Sequence, residues 1–233
     1  MMEIVTYEQF SDITDKNNAV ILPLGSFEQH GPAADLGTDA IIADYFANKL
    51  SENTGIVKLP VLSYGYSDPH INFPGTVSLS YSLYKELFVQ ICESKETARF
   101  RRIIVVNGHG GNIIPIKEYI TDNKNRILWL EWFSVTSNTF FSEKHKSHAG
   151  SEELSVLGAI NNSLVIANRI ENMKISSNTK KRTPARMEDY SENGVLFYAD
   201  GYNCKKGEAI INYVNQQFLI KTRAFLCGEY NDN

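Results

Sequence analysis

Ala19-Val20-Ile21-Leu22-Pro23-Leu24 runs straight into Gly25-Ser26-Phe27-Glu28-Gln29-His30-Gly31-Pro32, and this stretch decides how the chain folds. Six apolar residues bounded by glycine read as a strand buried on both faces. The polar, glycine-rich segment that follows then falls at the carboxyl end of that strand, where open α/β sheets gather their function.

The pattern repeats along the chain. Asp39 to Leu50 places Ile41, Ile42, Tyr45, Phe46 and Leu50 at helical spacing. Ile56 to Leu62 is the next strand candidate, broken by Pro60. Tyr81 to Glu96 reads as a helix with Leu83, Leu87, Phe88 and Ile91 on one face. Ile103-Ile104-Val105-Val106 is a second buried strand, Ile113 to Asn123 a helix, and Ile127-Leu128-Trp129-Leu130 a third such strand. Helices over Ser151–Asn161 and Glu208–Phe225 complete the pattern. Strands alternating with helices predict an α/β fold, a mostly parallel central sheet covered on both faces. One domain over 1–233 accounts for the length. The stretch from Ile175 to Lys206 reads as loops with a short strand at Val195-Leu196-Phe197, forming a peripheral excursion or a wall of a substrate pocket.

The composition is that of an ordinary globular protein: 233 residues, 42% hydrophobic and 21% charged. A net charge of −4 argues against a nucleic-acid partner, which calls for a concentrated basic face. The one basic run, Lys180-Lys181-Arg182, reads as a solvated loop. Met1-Met2-Glu3-Ile4-Val5 lacks the basic start and long apolar core of a signal peptide, and no window approaches the roughly 20 apolar residues of a membrane span, so neither is expected. Three widely spaced cysteines (Cys92, Cys204, Cys227) fit inert thiols in a reducing, cytoplasmic setting.

Three polar segments carry the candidate chemistry. They are Gly25 to Pro32 with Gly37-Thr38-Asp39, then Asn107-Gly108-His109-Gly110-Gly111-Asn112, then His145-Lys146-Ser147-His148-Ala149-Gly150-Ser151-Glu152-Glu153. Imidazole with carboxylate is the ligand set of zinc, manganese and non-haem iron, and the lack of cysteine points away from a closed structural zinc site. In an extended segment Glu28 and His30 project to the same side and can reach one metal cluster. Asp39 opens a helix, where an N-cap role competes with a ligand role. Gly108, Gly110 and Gly111 allow a tight turn that exposes His109. Glu152 and Glu153 fall in a first helical turn, which favours carboxylates in any case. His145 reads as a surface residue, and Trp129 and Trp132 as core first and pocket wall second. Serine catalysis and dinucleotide binding both fail on spacing, since Glu28 stands where a nucleophile elbow needs glycine and Ile113 where the last fingerprint glycine belongs.

Taken together, Leu22-Pro-Leu-Gly-Ser-x-Glu-Gln-His-Gly-Pro32, Gly37-Thr-Asp39, Asn72-Phe-Pro-Gly-Thr76, Asn107-Gly-His-Gly-Gly-Asn112 and His148-Ala-Gly-x-x-Glu153-x-Ser155 resemble the creatininase family of metal-dependent amidohydrolases. Asn193-Gly194-Val195 and Lys206-Gly207-Glu208 are weaker echoes. The resemblance implies a three-layer α/β/α domain with two divalent ions (zinc, manganese or iron), held by Glu28, His30, Asp39 and His109 with Asp39 bridging. It implies Glu153 as a fifth ligand, with Glu152 as the alternative, His148 as proton donor, and a homo-oligomer, commonly a hexamer. Ser26, His70 and Gly110 are assigned to the substrate pocket, His70 with a structural role as the alternative. The expected reaction is hydrolysis of an amide (a cyclic amide, a formamide or a peptide-like C–N bond) by a metal-bound hydroxide. A cyclic ketone or sugar-derived substrate, or a non-catalytic small-molecule binder, is the alternative. Ala33-Ala34-Asp35 replaces the family's frequent His-Leu-Pro continuation, and Ser151 and Leu154 depart from the pattern around the last glutamate. These departures leave the metal residues intact and open the question of substrate.

Overall fold

A computed structural model describes residues 6–16, 18–142, 145–170, 186–196 and 198–230. Its frame is a four-stranded parallel sheet: β1 (Ala19–Leu24), β2 (Val57–Lys58), β3 (Arg102–Asn107) and β4 (Ile127–Glu131), in the order β2-β1-β3-β4. β1 and β3 pair along their full lengths, from Ala19 opposite Arg102 to Leu24 opposite Asn107. Both strands therefore end level with each other, and the loops after them emerge side by side.

The strand period of two sorts each buried run between two cores. Ala19 and Ile21 of β1, with Ile104 and Val106 of β3, face a cluster built with helices α2 (Thr38–Thr54), α7 (Ser151–Ile160) and α9 (Cys204–Cys227). Val20, Leu22 and Leu24, with Ile103 and Val105, face the other cluster, built with α3 (Tyr81–Glu93) and α4 (Ile113–Asp122). This is the three-layer α/β/α arrangement that the alternation predicts. Short helices α5 (Trp132–Val135), α6 (Ser137–Phe140) and α8 (Ala167–Ile170) fill the periphery, and α1 (Tyr7–Lys16) precedes the sheet. The sequence reading assigns no element to any of these four.

Other expectations need correction. The strand expected over Ile56–Leu62 shrinks to Val57–Lys58 plus a bridge between Leu24 and Leu62. Leu59 and Leu62 still donate to Ile21 and Pro23, but Pro60 between them has no N–H to continue the ladder. Val195 and Leu196 are not in a strand, although Leu196 N donates to the His148 carbonyl at 3.1 Å; residue 197 and the Lys180-Lys181-Arg182 run lie outside the described residues. Trp129 packs half-buried toward α3 and α4, while Trp132 is buried on the opposite core.

Phe46 of α2 is fully buried between Trp132 and Phe218, with ring centroids 6.4 and 5.7 Å away. Truncation there leaves a cavity that rigid neighbours on both sides cannot close. Phe46→Ala is expected to cost about 3–5 kcal/mol of stability, read as a lowered urea midpoint with an unchanged m-value.

Candidate metal centre

The site is assembled by a very close approach of helix to sheet. α2 starts just past the ends of β1 and β3, and only glycine can stand at the two points of contact. A Cβ on Gly25 would lie 2.3 Å from the Ala40 Cα, and one on Gly108 would lie 2.2 Å from the Asp39 carbonyl. The polar loops are tied to each other as well. Asn112 Nδ2 donates to the Gly25 carbonyl at 3.0 Å and to Asn107 Oδ1 at 3.1 Å, and Asn107 Nδ2 donates to the His109 carbonyl at 2.7 Å.

Asp39 sits inside this junction, 2% exposed. The helix begins at Thr38 with Gly37 as its unassisted cap, so the capping role weighed for Asp39 is not the one it plays. Its Oδ1 lies 3.1 Å from His30 Nε2, and its Oδ2 lies 3.0 Å from His109 Nδ1. Ser26 Oγ donates to Oδ2 at 2.7 Å. Ser26 is fully buried and orients this carboxylate, and it is not among the residues lining the adjacent cavity.

Each imidazole is oriented from behind. His30 Nδ1 donates to the Glu28 carbonyl at 3.0 Å, and His109 Nε2 donates to the Tyr66 carbonyl at 3.0 Å. The remaining nitrogen of each ring therefore faces the carboxylates, as in rings prepared for a metal. Glu153 reaches the same place from the start of α7, its Oε2 3.7 Å from His30 Nε2. The turn before that helix is strained: Ala149 has φ 54°, and its N–H donates to Glu153 Oε2 at 2.7 Å. Glu152 points elsewhere, lining the cavity with a buried Oε1 that has no hydrogen-bond partner among the described residues.

Two overlapping triads result, Glu28–Asp39–His109 and His30–Asp39–Glu153, each with ligand atoms within 4.8 Å of one another. A third grouping, Glu28–His30–His148, shares the centre. Glu28 supplies the test of fit. It is fully buried, and among the described residues neither carboxylate oxygen accepts a directed hydrogen bond, although His109 Nδ1 lies 3.3 Å from Oε1. A buried carboxylate so poorly satisfied is costly unless a cation meets it.

The protonation pattern has the same origin. Burial disfavours charge on His30, but the Asp39 and Glu153 carboxylates outweigh it and raise the ring to about 10. Burial likewise opposes His109, and Glu28 and Asp39 hold it well above the usual imidazole range. Burial raises Asp39, and His30 and His109 more than reverse it. Glu153, with burial uppermost, is pushed up to about 7, and His148 is pushed down to about 3 by burial and the His30 charge.

Of the pocket assignments, Gly110 lines the cavity of about 400 Å³ together with Trp132, Phe133, Lys146, His148 and Glu152. His70 is buried, with Nε2 3.7 Å from Glu28 Oε1. His145 lies apart, half-buried against Tyr198 and 3.5 Å from Asp200. Gln29, absent from every sequence-based assignment, contacts both His70 and His148 through its side-chain amide.

Comparison with known proteins defines the class, a metal-dependent amidohydrolase. The creatininase (creatinine amidohydrolase) family profile matches residues 3–220, and the chain belongs to this family. A 2-amino-5-formylamino-6-ribosylaminopyrimidin-4(3H)-one 5'-monophosphate deformylase of Methanobrevibacter ruminantium is 32% identical, over 77% of this chain and 69% of its own. A mycofactocin precursor peptide peptidase of Mycolicibacterium smegmatis is 42% identical over 40% of each chain. A 3-dehydro-scyllo-inosose hydrolase of Thermotoga maritima is 28% identical, over 67% of this chain and 51% of its own. The chain thus aligns with about half the length of the latter two or less. Two solved structures share the fold. A creatinine amidohydrolase (creatininase) superposes with a TM-score of 0.80 at 20% identity, over 96% of this chain and 97% of its own. A putative creatinine amidohydrolase from Bacteroides fragilis does so with a TM-score of 0.75 at 19% identity, over 100% and 97%.

The raised imidazoles carry a pH signature. A cation entering either triad displaces the proton of His30 or His109, and below about 7 that of Glu153 too. Zinc affinity is therefore expected to rise with pH, about tenfold per unit for each proton displaced, with calorimetry in buffers of different ionisation heat counting the protons. An affinity that stays flat between about pH 6 and 8 contradicts this.

Proposed function

We propose that the chain is a dinuclear hydrolase of an amide-type C–N bond. The observation that carries this reading is the divided Asp39 carboxylate, one oxygen on each of two imidazole–carboxylate triads. Glu28, Asp39 and His109 would hold one divalent ion and His30, Asp39 and Glu153 the other, as zinc, manganese or iron. Ions so held would acidify a water and polarise a carbonyl.

The remaining steps belong to the protein. His148 lines the cavity, with Nδ1 3.6 Å from Glu28 Oε1 and its ring centroid 4.5 Å from that of His30. A neutral imidazole there can take the proton released by the attacking water and pass it to the leaving nitrogen, which an amide must receive in order to depart. The indole of Trp132 and the Phe133 ring form an apolar wall, and Lys146 and Glu152 supply charge beside it. A cavity of this size takes a small molecule or a chain end. A formamide suits it well, because its one-atom acyl group leaves the room for the amine portion. Opening of a cyclic ketone, the reaction type suggested by the inosose hydrolase, is the second reading on the same residues. The family resemblance also carries a homo-oligomeric, hexameric assembly in the cytoplasm, for which light scattering is the test of the assembly.

Two outcomes follow. Elemental analysis of zinc-reconstituted protein is expected to give two ions per chain, and Asp39→Asn, still folded by circular dichroism, is expected to lose both. Full occupancy in that variant removes the bridging role. His148→Ala is expected to keep its metal and lose roughly 10²–10⁴ in rate on a poor leaving group, with much of the loss recovered on a good one. Loss of metal in the alanine variant makes His148 a ligand instead.

A further inference from the structure

Gln29 is buried at the centre of the site, and its hydrogen bonds are over-determined. Its Oε1 accepts from the Gly31 N–H at 2.9 Å, and its Nε2 donates to the Gly194 carbonyl at 3.0 Å. An N–H can only donate and a carbonyl can only accept, so these two bonds fix which end of the amide is which. The second Nε2 proton remains. It meets His70 Nδ1 at 2.9 Å and His148 Nε2 at 2.9 Å. The Gln29 backbone decides between them, because its carbonyl oxygen lies 2.8 Å from His148 Nε2. That nitrogen must carry a proton to donate to the carbonyl, so it cannot also accept the amide proton. The amide proton therefore goes to His70 Nδ1.

We infer that Gln29 is a positioning residue that gives His148 and His70 opposite roles toward Glu28. Both rings are held with the proton on Nε2, but they meet Gln29 through different nitrogens. His148 consequently turns a lone pair, on Nδ1, toward Glu28 Oε1 at 3.6 Å. His70 turns its Nε2–H toward the same oxygen at 3.7 Å. The rings stand beside each other with centroids 4.4 Å apart, one with a bare nitrogen on the side of the site and the other with an N–H. On the hydrolytic reading, from which this assignment takes only its chemical consequence, His148 rests as a base. Its Nδ1 takes the proton released by the attacking water, and the same proton then passes to the leaving nitrogen, so none is gained or lost overall. His70, carrying its proton on the site side, cannot compete for it.

Gly194 belongs to the same device. Its φ of +79° and its contact with Gln29 leave no room for a side chain, since a Cβ there would fall 1.7 Å from Gln29 Oε1. This gives the otherwise unassigned Asn193-Gly194-Val195 segment a purpose. Asn193 Oδ1 accepts from the Val195 N–H at 3.1 Å, and Leu196 N donates to the His148 carbonyl at 3.1 Å, so the loop that receives the amide also holds the base.

The test is nitrogen-15 NMR of the histidine rings in zinc-loaded protein, where the tautomers are distinguished directly. The wild type is expected to show His70 and His148 both protonated on Nε2 and bare on Nδ1. In Gln29→Glu the side chain offers His70 only an acceptor, so the His70 proton is expected to move to Nδ1. The His148 proton should stay, because the backbone carbonyl that holds it is unchanged. Gln29→Met, which neither donates nor accepts strongly, is expected to leave His70 as a mixture of tautomers. A wild-type His70 protonated on Nδ1 overturns the assignment without any variant, and so does a Gln29→Glu spectrum identical to wild type. A zinc-shifted His148 Nδ1 overturns it as well, by making that nitrogen a ligand. Zinc content is measured on the same samples and separates the two proposals: the expected tautomers in protein that binds no zinc remove the metal reading and leave this one.

Discussion

One carboxylate, placed so that each oxygen faces a different imidazole, is the constraint on which the rest of the site depends. Asp39 can occupy that point only if the start of α2 lies against the ends of two strands at once. That in turn requires β1 and β3 to finish in register, which their residue-by-residue parallel pairing provides. It also requires glycine at positions 25 and 108, where any side chain would collide with the helix backbone. The asparagine clamp at 107 and 112 then holds the two loops in one geometry. The sheet is thus more than a scaffold beneath a site: its register is the dimension that sets the spacing between His30 and His109.

The same arrangement is electrostatically costly. Glu28, Asp39 and Glu153 lie together and largely buried, where like charges repel strongly. Two raised imidazoles and a Glu153 pushed up to about 7 relieve that strain by taking up protons. Protons are a partial remedy only. Among the described residues they leave both Glu28 oxygens without a directed donor, and the strained turn at Ala149 is tied to Glu153 by its own N–H. A cluster that is poorly satisfied by its own atoms, and that is held rigid by backbone carbonyls behind each ring, is organised around something other than stability.

Much of this is legible in the sequence, and the reason is local. The apolar runs of β1, β3 and β4 and the glycine-rich loops after them lie in single continuous stretches, so periodicity alone finds the strands and where the chemistry falls. Glu28 and His30 share a side because two residues along an extended segment face the same way. Asp39 is ambiguous in sequence because the first turn of a helix rewards a carboxylate whatever else it does. The choice between cap and cluster depends on His30 and His109, one upstream of the helix and the other beyond the next long strand. Gln29 is invisible for the same reason in stronger form, since its amide partners are His70, His148 and Gly194, up to 165 residues distant. The short strand expected near Val195 has the right composition, but the backbone there bonds to His148 instead of to a sheet edge. α1 escapes notice because its apolar stripe is only Tyr7, Phe10 and Ile13, set among polar residues that suit a loop equally well.

The adjacent glutamates at the start of α7 show how helix geometry divides labour that sequence leaves undivided. Consecutive helical residues project about 100° apart, so only one of Glu152 and Glu153 can face His30. Glu153 takes that direction, fixed by the Ala149 N–H. Glu152 is turned along the cavity wall, where burial pushes it up to about 7 and one oxygen has no partner among the described residues. Both carboxyls line the cavity, but only Glu153 also belongs to a triad, and the turn of the helix directs Glu152 away from His30.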